Sequence, residues 1–360
     1  MYVRRKLVKI VKLVLTIFTI CFWAIRPIKH TKKPVAFLFH VSKWKRSFLP
    51  FFLKEYDIRF VPFDHQIKFL RYELSKYPNK VFIIWGYNHS TEIIQYAEKH
   101  KIPVYRMEDG FVRSKGLGAL HTPPYSISLD KQGMYFDSTQ PSDLEELLNT
   151  HPFSEEELSR ARDCINKLNE LGVSKYNHVN KQDVSEIYGE KTKKRILVIG
   201  QVEDDASIKM GCAKNFLNND LVRLASKENP DAEIIYKPHP DVLTGRRLKH
   251  SDPDEVKHLA KVITEPLSLV DSLKTIDHVY TITSLSGFEA LMRGINVTTI
   301  GAPFYSGWGL TDDRQMVTRR KRKLTIEEVF AGAYLLYPRY VDPHNGENVT
   351  LEEVIERIAN

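Results

Sequence analysis

Short apolar runs recur along this chain, and each one stops at a glycine or at a cluster of charged and hydroxyl side chains. VAFLFHV, KVFIIWG and IPVYRMEDG come first; RILVIG, AEIIYKPHP, HVYTITS and NVTTIG follow after a break. Runs this continuous, without polar alternation, are what strands covered on both faces require. Between them lie helical patterns: FLPFFLKEY, TEIIQYAEKH, Asn215 to Glu228, LSLVDSLKTI and GFEALMRG. Strand–helix alternation of this kind predicts an α/β fold with a parallel sheet and helical crossovers. It is interrupted by a charged helix near Ser154 to Leu171 and a lysine-rich stretch, Lys175 to Lys194, and then restarts. Two Rossmann-like domains facing a cleft are therefore expected, at residues 34–190 and 191–330, with a helical tail over 331–360. In the tail, TLEEVIERIA opens on Thr350 as an N-cap followed by acidic first-turn residues.

Length and composition agree with two ordinary domains: 360 residues, 42% hydrophobic and 27% charged. The net charge of +8 is unevenly spread. RRKRK, Arg319 to Lys323, reads as solvated charge, and no nucleic-acid partner is expected. At the N-terminus, Arg4, Arg5, Lys6, Lys9, Lys12, Arg26, Lys29, Lys32 and Lys33 flank an apolar run, Leu13 to Ile25. A helix of that length reaches roughly 20 Å, against a hydrocarbon core of about 30 Å. Residues 1–33 are thus expected to form an in-plane interfacial helix or a short anchor, with the basic flanks held by anionic lipid of the cytoplasmic leaflet. No small-residue cleavage site follows the run. Cys21, Cys164 and Cys212 form neither a disulfide framework nor a CxxC metal site, as suits a reducing cytoplasm.

Ligands of open α/β sheets bind beyond the carboxyl ends of the strands, and four polar clusters fall there. In TSLSGFEALMRG, Thr283, Ser284, Ser286 and Gly287 stand where a helix begins, a setting for an anion or simply for an N-cap. KPHPD offers Lys237 and His239 from a loop stiffened by Pro238 and Pro240, suited to a phosphate or a ribose. RMEDGFVRSKGLG carries Arg106, Glu108, Asp109, Arg113 and Lys115: acid–base machinery, or a charged turn with an internal Asp109–Arg113 pair. In GQVEDDAS, Glu203, Asp204 and Asp205 crowd together behind Gln201, as a solvated loop, a metal site or the reacting end of an enzyme. A metal site would need further ligands, to which His239 could contribute, but no DxD lies between hydrophobic strands and no metal is expected. The GxSxG elbow of a serine hydrolase is absent.

Taken together, RMEDGFVRSKGLG, PPYSISLD, YFDSTQPSDLE, SKYN, GQVEDDASI, IIYKPHPDV, TSLSGFEALMRG, PFYSGWGLT and YPRYVDP resemble one family. It is that of the bacterial capsule-polysaccharide β-Kdo transferases, retaining glycosyltransferases that use CMP-Kdo, and the likeness runs from about Val35 to the C-terminus. The resemblance implies a GT-B-like fold and an enzyme on the cytoplasmic face of the inner membrane. It would move Kdo from CMP-Kdo to a lipid-linked or glycan acceptor in capsule or surface polysaccharide synthesis, without a cofactor. Its partners would be the CMP-sugar donor, the acceptor, the membrane surface and other capsule-assembly proteins. Matching positions put Lys237 and His239 at the donor phosphate, Ser284, Ser286 and Gly287 at the helix-end anion site, and Glu289 at the nucleotide's sugar. Retention by two inversions needs a carboxylate nucleophile. The family's Gln-x-x-x-Asp pattern matches Gln201 to Asp205, which makes Asp205 the nucleophile and Asp204 the fallback. Glu108 is then the base, with Arg106, Asp109, Arg113 and Gln201 as candidates for contacts to donor or acceptor sugar. One feature departs from the family. Its capsule-initiating enzymes hold two transferase modules in tandem and these residues hold one, which implies a single kind of linkage. Two rival readings stand beside this one. A CDP-glycerol-dependent glycerophosphotransferase would share the phosphate loops but need no nucleophilic carboxylate; a non-catalytic capsule assembly or export component would only bind glycan.

Overall fold

The computed structural model describes residues 32–62, 67–87, 89–116, 120–175, 183–245, 247 and 250–359, with Val11, Val14, Ile17 and Phe18. The expectation for residues 1–33 falls almost wholly outside the described residues. Among the described residues no helix is long and apolar enough to cross a membrane. Two compact units are formed: Met1–Glu108 with Pro343–Glu347, and Asp109–Asp342 with Asn348–Asn360.

In the first unit, β1 (Val35–Phe39), β2 (Asp57–Phe60), β3 (Lys80–Trp85) and β4 (Val104–Asp109) lie in the order β2-β1-β3-β4. Every pairing is parallel. All five residues of β1 are buried, as an unalternating apolar strand demands. Phe37 and Phe39 meet Phe82 of β3 edge-on, with ring centroids 6.3 and 4.8 Å away. Ile93 and Ala97, on the buried side of the helix Thr91–Lys99, belong to the same core. The connection from β1 to β2 is a 3-10 turn, Lys43–Ser47, followed by a one-turn helix, Leu49–Phe52. Phe48, Leu49, Phe52 and Leu53 bury its inner side.

The second unit holds two sheet elements. One is an antiparallel pair, β5 (Ser126–Asp130) with β12 (Pro338–Tyr340). The other is six parallel strands: β6 (Arg195–Ile199), β7 (Glu233–Lys237), β8 (Lys261–Val262), β9 (His278–Thr281), β10 (Asn296–Thr299) and β11 (Asp312–Asp313). Their order is β11-β10-β9-β6-β7-β8. From β6 the chain winds one way through β7 and β8, then crosses to β9 and winds the other way. The boundary between β6 and β9 is the topological switch point, where α/β sheets open a crevice for ligands. Both series of strands are thus Rossmann-like, the α/β fold expected from the strand–helix alternation.

The helix Glu155–Leu171 starts at a Ser154–Glu157 capping box and ends at Gly172, whose φ of 66° is left-handed. Thr350 and Glu353 make a reciprocal pair at the start of Leu351–Ala359, as the sequence predicts. The tail is not wholly helical, because Pro338–Tyr340 supplies β12. The helix expected over LSLVDSLKTI is only Leu269–Ser272; Thr275, with a φ of 64°, turns the chain away.

RRKRK requires a correction in part: Lys321 and Lys323 are exposed as expected, but the three arginines are bound into the fold. Arg320 is buried and donates to Glu145, to the carbonyls of Pro303 and Ser306 and to Ser306 Oγ. Arg319 also pairs with Glu145, and Arg322 donates to the carbonyls of Leu148 and His151. The irregular segment PFYSGWG leaves carbonyls with no ladder partner, and buried carbonyls must be satisfied. Arginine, with five fixed donors, satisfies several at once.

Candidate active site

The switch point brings GQVEDDAS, after β6, beside TSLSG, after β9, with KPHPD following β7. Gly200 donates its N–H to the Lys237 carbonyl at 2.9 Å. A Cβ on Gly200 would stand 3.0 Å from Pro238 Cα and 3.2 Å from the His239 nitrogen. Glycine is required here because two backbones touch. Gln201 is buried; its Oε1 accepts from Thr283 N at 2.8 Å and its Nε2 donates to Thr283 Oγ1 at 3.2 Å. Its side chain therefore braces one loop against the other.

The three acids separate cleanly. Glu203 accepts from Asn218 N (2.8 Å), Ser251 N (3.0 Å) and Ser251 Oγ, and so holds the start of the helix Asn218–Glu228 to a distant loop. Asp204 pairs with Arg247 at 2.6 Å, and that hydrogen bond holds its carboxyl below the usual range. Asp205 caps the helix Ala206–Gly211: Oδ1 accepts from Ser207 N at 2.9 Å and from Ser207 Oγ at 2.8 Å. No hydrogen bond to Oδ2 is found among the described residues. One oxygen of Asp205 is fixed, and the other is carried on a carboxylate that cannot rotate without losing its cap.

His239 caps the helix Pro240–Leu243, with Nδ1 accepting from Asp241 N at 3.1 Å. A backbone N–H can only donate, so Nδ1 carries no proton and the neutral ring bears its proton on Nε2. Burial, helped by Lys237, pushes the ring pKa below its ordinary value, while Asp241 and Asp205 pull the other way. Lys237 is also shifted down by burial. A desolvated lysine and an Nε2–H donor at the end of one strand are groups chemically suited to an anion.

Ser284 caps the helix Leu285–Leu291, accepting from Ser286 N at 3.2 Å. Gly287 is buried, and a Cβ there would meet the Tyr305 hydroxyl at 2.2 Å, so its small size makes room for that ring. Ser286 and Glu289 lie one turn apart on the helix. Glu289 is 3% exposed, and burial pushes its carboxyl up to about 7. Oε1 takes a long hydrogen bond of 3.4 Å from Lys175 N, and Oε2 has no partner among the described residues. Arg293, four residues on, spends Nη1 on the Glu289 carbonyl, and its buried Nη2 also has no partner among the described residues. Buried polar atoms are rarely left so.

In the first unit, Arg106 donates to the Gly86 carbonyl at 3.0 Å and lies 3.9 Å from the centre of the Tyr87 ring. His89 Nε2 is 3.5 Å from its guanidinium, and burial lowers the His89 pKa. Glu108 follows two residues on, so it shares the Arg106 face of β4. A Cβ on Gly86 would come within 3.2 Å of its Oε2. In the second unit, Asp109 and Arg113 make the internal pair that the spacing allows, at 2.7 Å, with Arg113 1% exposed and also bonded to Ser114.

Sequence reasoning did not pick out Ser207, Arg247, Tyr87 or His89. Ser207 was within reach, since Asp-x-Ser is an N-cap pattern. Arg247 lies in a loop far along the chain and gives no local signal.

Residues 80–340 match the family described as "Capsule polysaccharide biosynthesis protein". A lipopolysaccharide-processing protein of Rhizobium meliloti, LpsZ, is 44% identical over 330 residues, covering 91% of this chain and 75% of that protein. The capsule polysaccharide modification protein LipA of Neisseria meningitidis serogroup A is 40% identical over 312 residues. This chain spans 44% of LipA's length and 87% of its own. Among solved structures, the β-Kdo 2,4 transferase of Thermosulfurimonas dismutans KpsC is 34% identical with a TM-score of 0.77, covering 92% of this chain and 99% of that one. The KpsC β-Kdo 2,7 transferase is 33% identical with a TM-score of 0.72, covering 91% and 99%. By extent of match, identity and shared architecture, the chain belongs to the capsule polysaccharide biosynthesis protein family.

Proposed function

We propose that this chain is a retaining glycosyltransferase that moves a β-Kdo residue from CMP-Kdo to a lipid-linked or glycan acceptor. The observation that carries the reading is the state of Asp205: a carboxylate at the switch point, pinned through Oδ1, beside groups suited to an anion. In the first step Oδ2 attacks the anomeric carbon, and the bond from that carbon to the phosphate oxygen breaks, its electron pair leaving with CMP. Lys237, the His239 Nε2–H and the helix end at Ser284 and Ser286 would take up the charge developing on the phosphate. Glu289 and Arg293 would meet the nucleotide's sugar with the two atoms that lack partners among the described residues. In the second step the acceptor hydroxyl attacks the same carbon, the Asp205 carboxylate leaves, and Glu108 takes the hydroxyl proton. Two inversions leave the configuration unchanged. While the ester exists, the Ser207 donors would remain on its carbonyl oxygen and ease departure of the carboxylate. No cofactor enters these steps.

Residues 191–330 would bind the donor and residues 34–190 the acceptor, with residues 1–33 holding the enzyme at the cytoplasmic face of the inner membrane beside other capsule-assembly proteins.

The test is transfer from CMP-Kdo generated in situ to a panel of saccharide acceptors, with NMR of the new anomeric linkage. Asp205→Asn should lose at least about a thousandfold in rate, as nucleophile removal does elsewhere, whereas Asp204→Asn should retain most activity. Full activity of Asp205→Asn would end the double-displacement reading. Efficient transfer from CDP-glycerol by that same variant would favour the phosphotransferase.

A further inference from the structure

The net positive charge of this protein is confined to one end. Residues 1–57 hold thirteen Lys and Arg against two acids, Glu55 and Asp57, while the other 303 residues hold 40 Lys and Arg against 43 Asp and Glu. The described part of the basic region is not a loose tail. After β1 the chain runs through the 3-10 turn and the one-turn helix, whose buried residues clamp its inner side. The exposed positions Lys43, Ser47, Pro50 and Lys54 recur at helical spacing along its outer side. Lys33, exposed and just after the basic N-terminal stretch, donates to the Lys54 carbonyl at 2.6 Å. Lys54 in turn donates to the Gly346 carbonyl at 2.6 Å. The point where residues 1–31 join the fold therefore lies against one end of this stripe.

We infer that the Lys33–Lys43–Lys54 surface of the first unit is a docking face for an anionic lipid bilayer. Charge complementarity and chain continuity carry the inference. Residues 1–31 bring seven Lys and Arg and no acid to the edge of the same surface. The remainder of the chain carries a small net negative charge and as a whole gains nothing from such a bilayer. The inference uses the membrane association proposed for residues 1–33 but needs neither donor nor acceptor.

The test is sedimentation of the full-length chain with phosphatidylcholine vesicles, with and without phosphatidylserine. Binding to the anionic vesicles should fall as salt rises. Each interfacial lysine is worth about fivefold, so Lys43→Gln/Lys54→Gln should weaken binding roughly 25-fold. The control Lys227→Gln/Lys261→Gln removes two exposed charges from the second unit and should change binding less than about twofold. Equal losses in both variants, an unchanged Lys43/Lys54 variant, or equal binding to neutral vesicles would each overturn the assignment. Loss of self-association in place of vesicle binding would give the face to a second copy and also overturn it. Circular dichroism of the variants guards against misfolding. Because no sugar is present, an absence of transferase activity leaves the result readable.

Discussion

Replacing Gly287 with alanine should destabilise the second unit, and the reason is geometric. The added Cβ would lie 2.2 Å from the Tyr305 hydroxyl, 3.0 Å from its Cζ and 3.1 Å from Thr281 Cγ2. Tyr305 cannot swing aside, being fully buried with Phe304 and Phe288 at ring distances of 5.3 and 5.7 Å. Its hydroxyl donates to the Ser284 carbonyl, and that bond must break or shift. Overpacking of this kind costs about 1–3 kcal/mol. Stranding the hydroxyl adds about 1–3 kcal/mol, while the Ser284 carbonyl keeps the Gly287 N–H. The better helix propensity of alanine returns about 1 kcal/mol. A net loss of roughly 1–5 kcal/mol is expected from these terms. Denaturant titration followed by circular dichroism measures it, with the slope checked for constancy. Tyr305→Phe removes the nearest clashing atom, so Gly287→Ala/Tyr305→Phe should be at least about 1 kcal/mol more stable than additivity predicts. If Gly287→Ala were as stable as the parent and lost only CMP affinity, the glycine would serve close approach of a ligand, and the packing argument would be refuted.

Glu289→Gln should alter how stability depends on pH. A carboxyl raised from 4.5 to about 7 in the folded state adds stability that is whole below pH 4.5 and lost as pH rises through 7. The parent should thus lose up to about 3 kcal/mol between pH 4.5 and 8 that the glutamine variant keeps, as read by denaturant melts across that range. Arg320→Met should cost about 1–3 kcal/mol, because it leaves the buried Ser306 carbonyl without a donor and takes one of two arginines from Glu145; a melt within about 0.5 kcal/mol of the parent would show the clamp to be idle.

The central parallel strands were legible because their burial is written as uninterrupted apolar runs; the two-residue edge strands β8 and β11 were not. The same rule fails for β5, whose sequence SISLD alternates polar and apolar yet is buried throughout. Ser126 donates to the Val112 carbonyl, and Asp130 accepts from three backbone N–H groups and from Tyr337. Val112, Asp143 and Tyr337 are distant in sequence, so nothing local shows that the polar face is covered. RRKRK misled for the matching reason: exposed and buried arginines look alike until the carbonyls they satisfy are known. At the site, the position of each loop followed from its strand. The differing fates of Glu203, Asp204 and Asp205 did not, because Ser251 and Arg247 decide two of them. Asp205 alone carried a local mark, the serine two residues on.

The contact of Gly200 with the Lys237–His239 backbone has a further consequence. Loops that touch through main-chain atoms move as one body, so the carboxylate proposed to attack and the groups proposed to receive the leaving phosphate share a single rigid frame. Little reorganisation energy then remains to be spent when charge migrates between them, and softening either loop should slow the chemistry before it loosens the grip on the nucleotide.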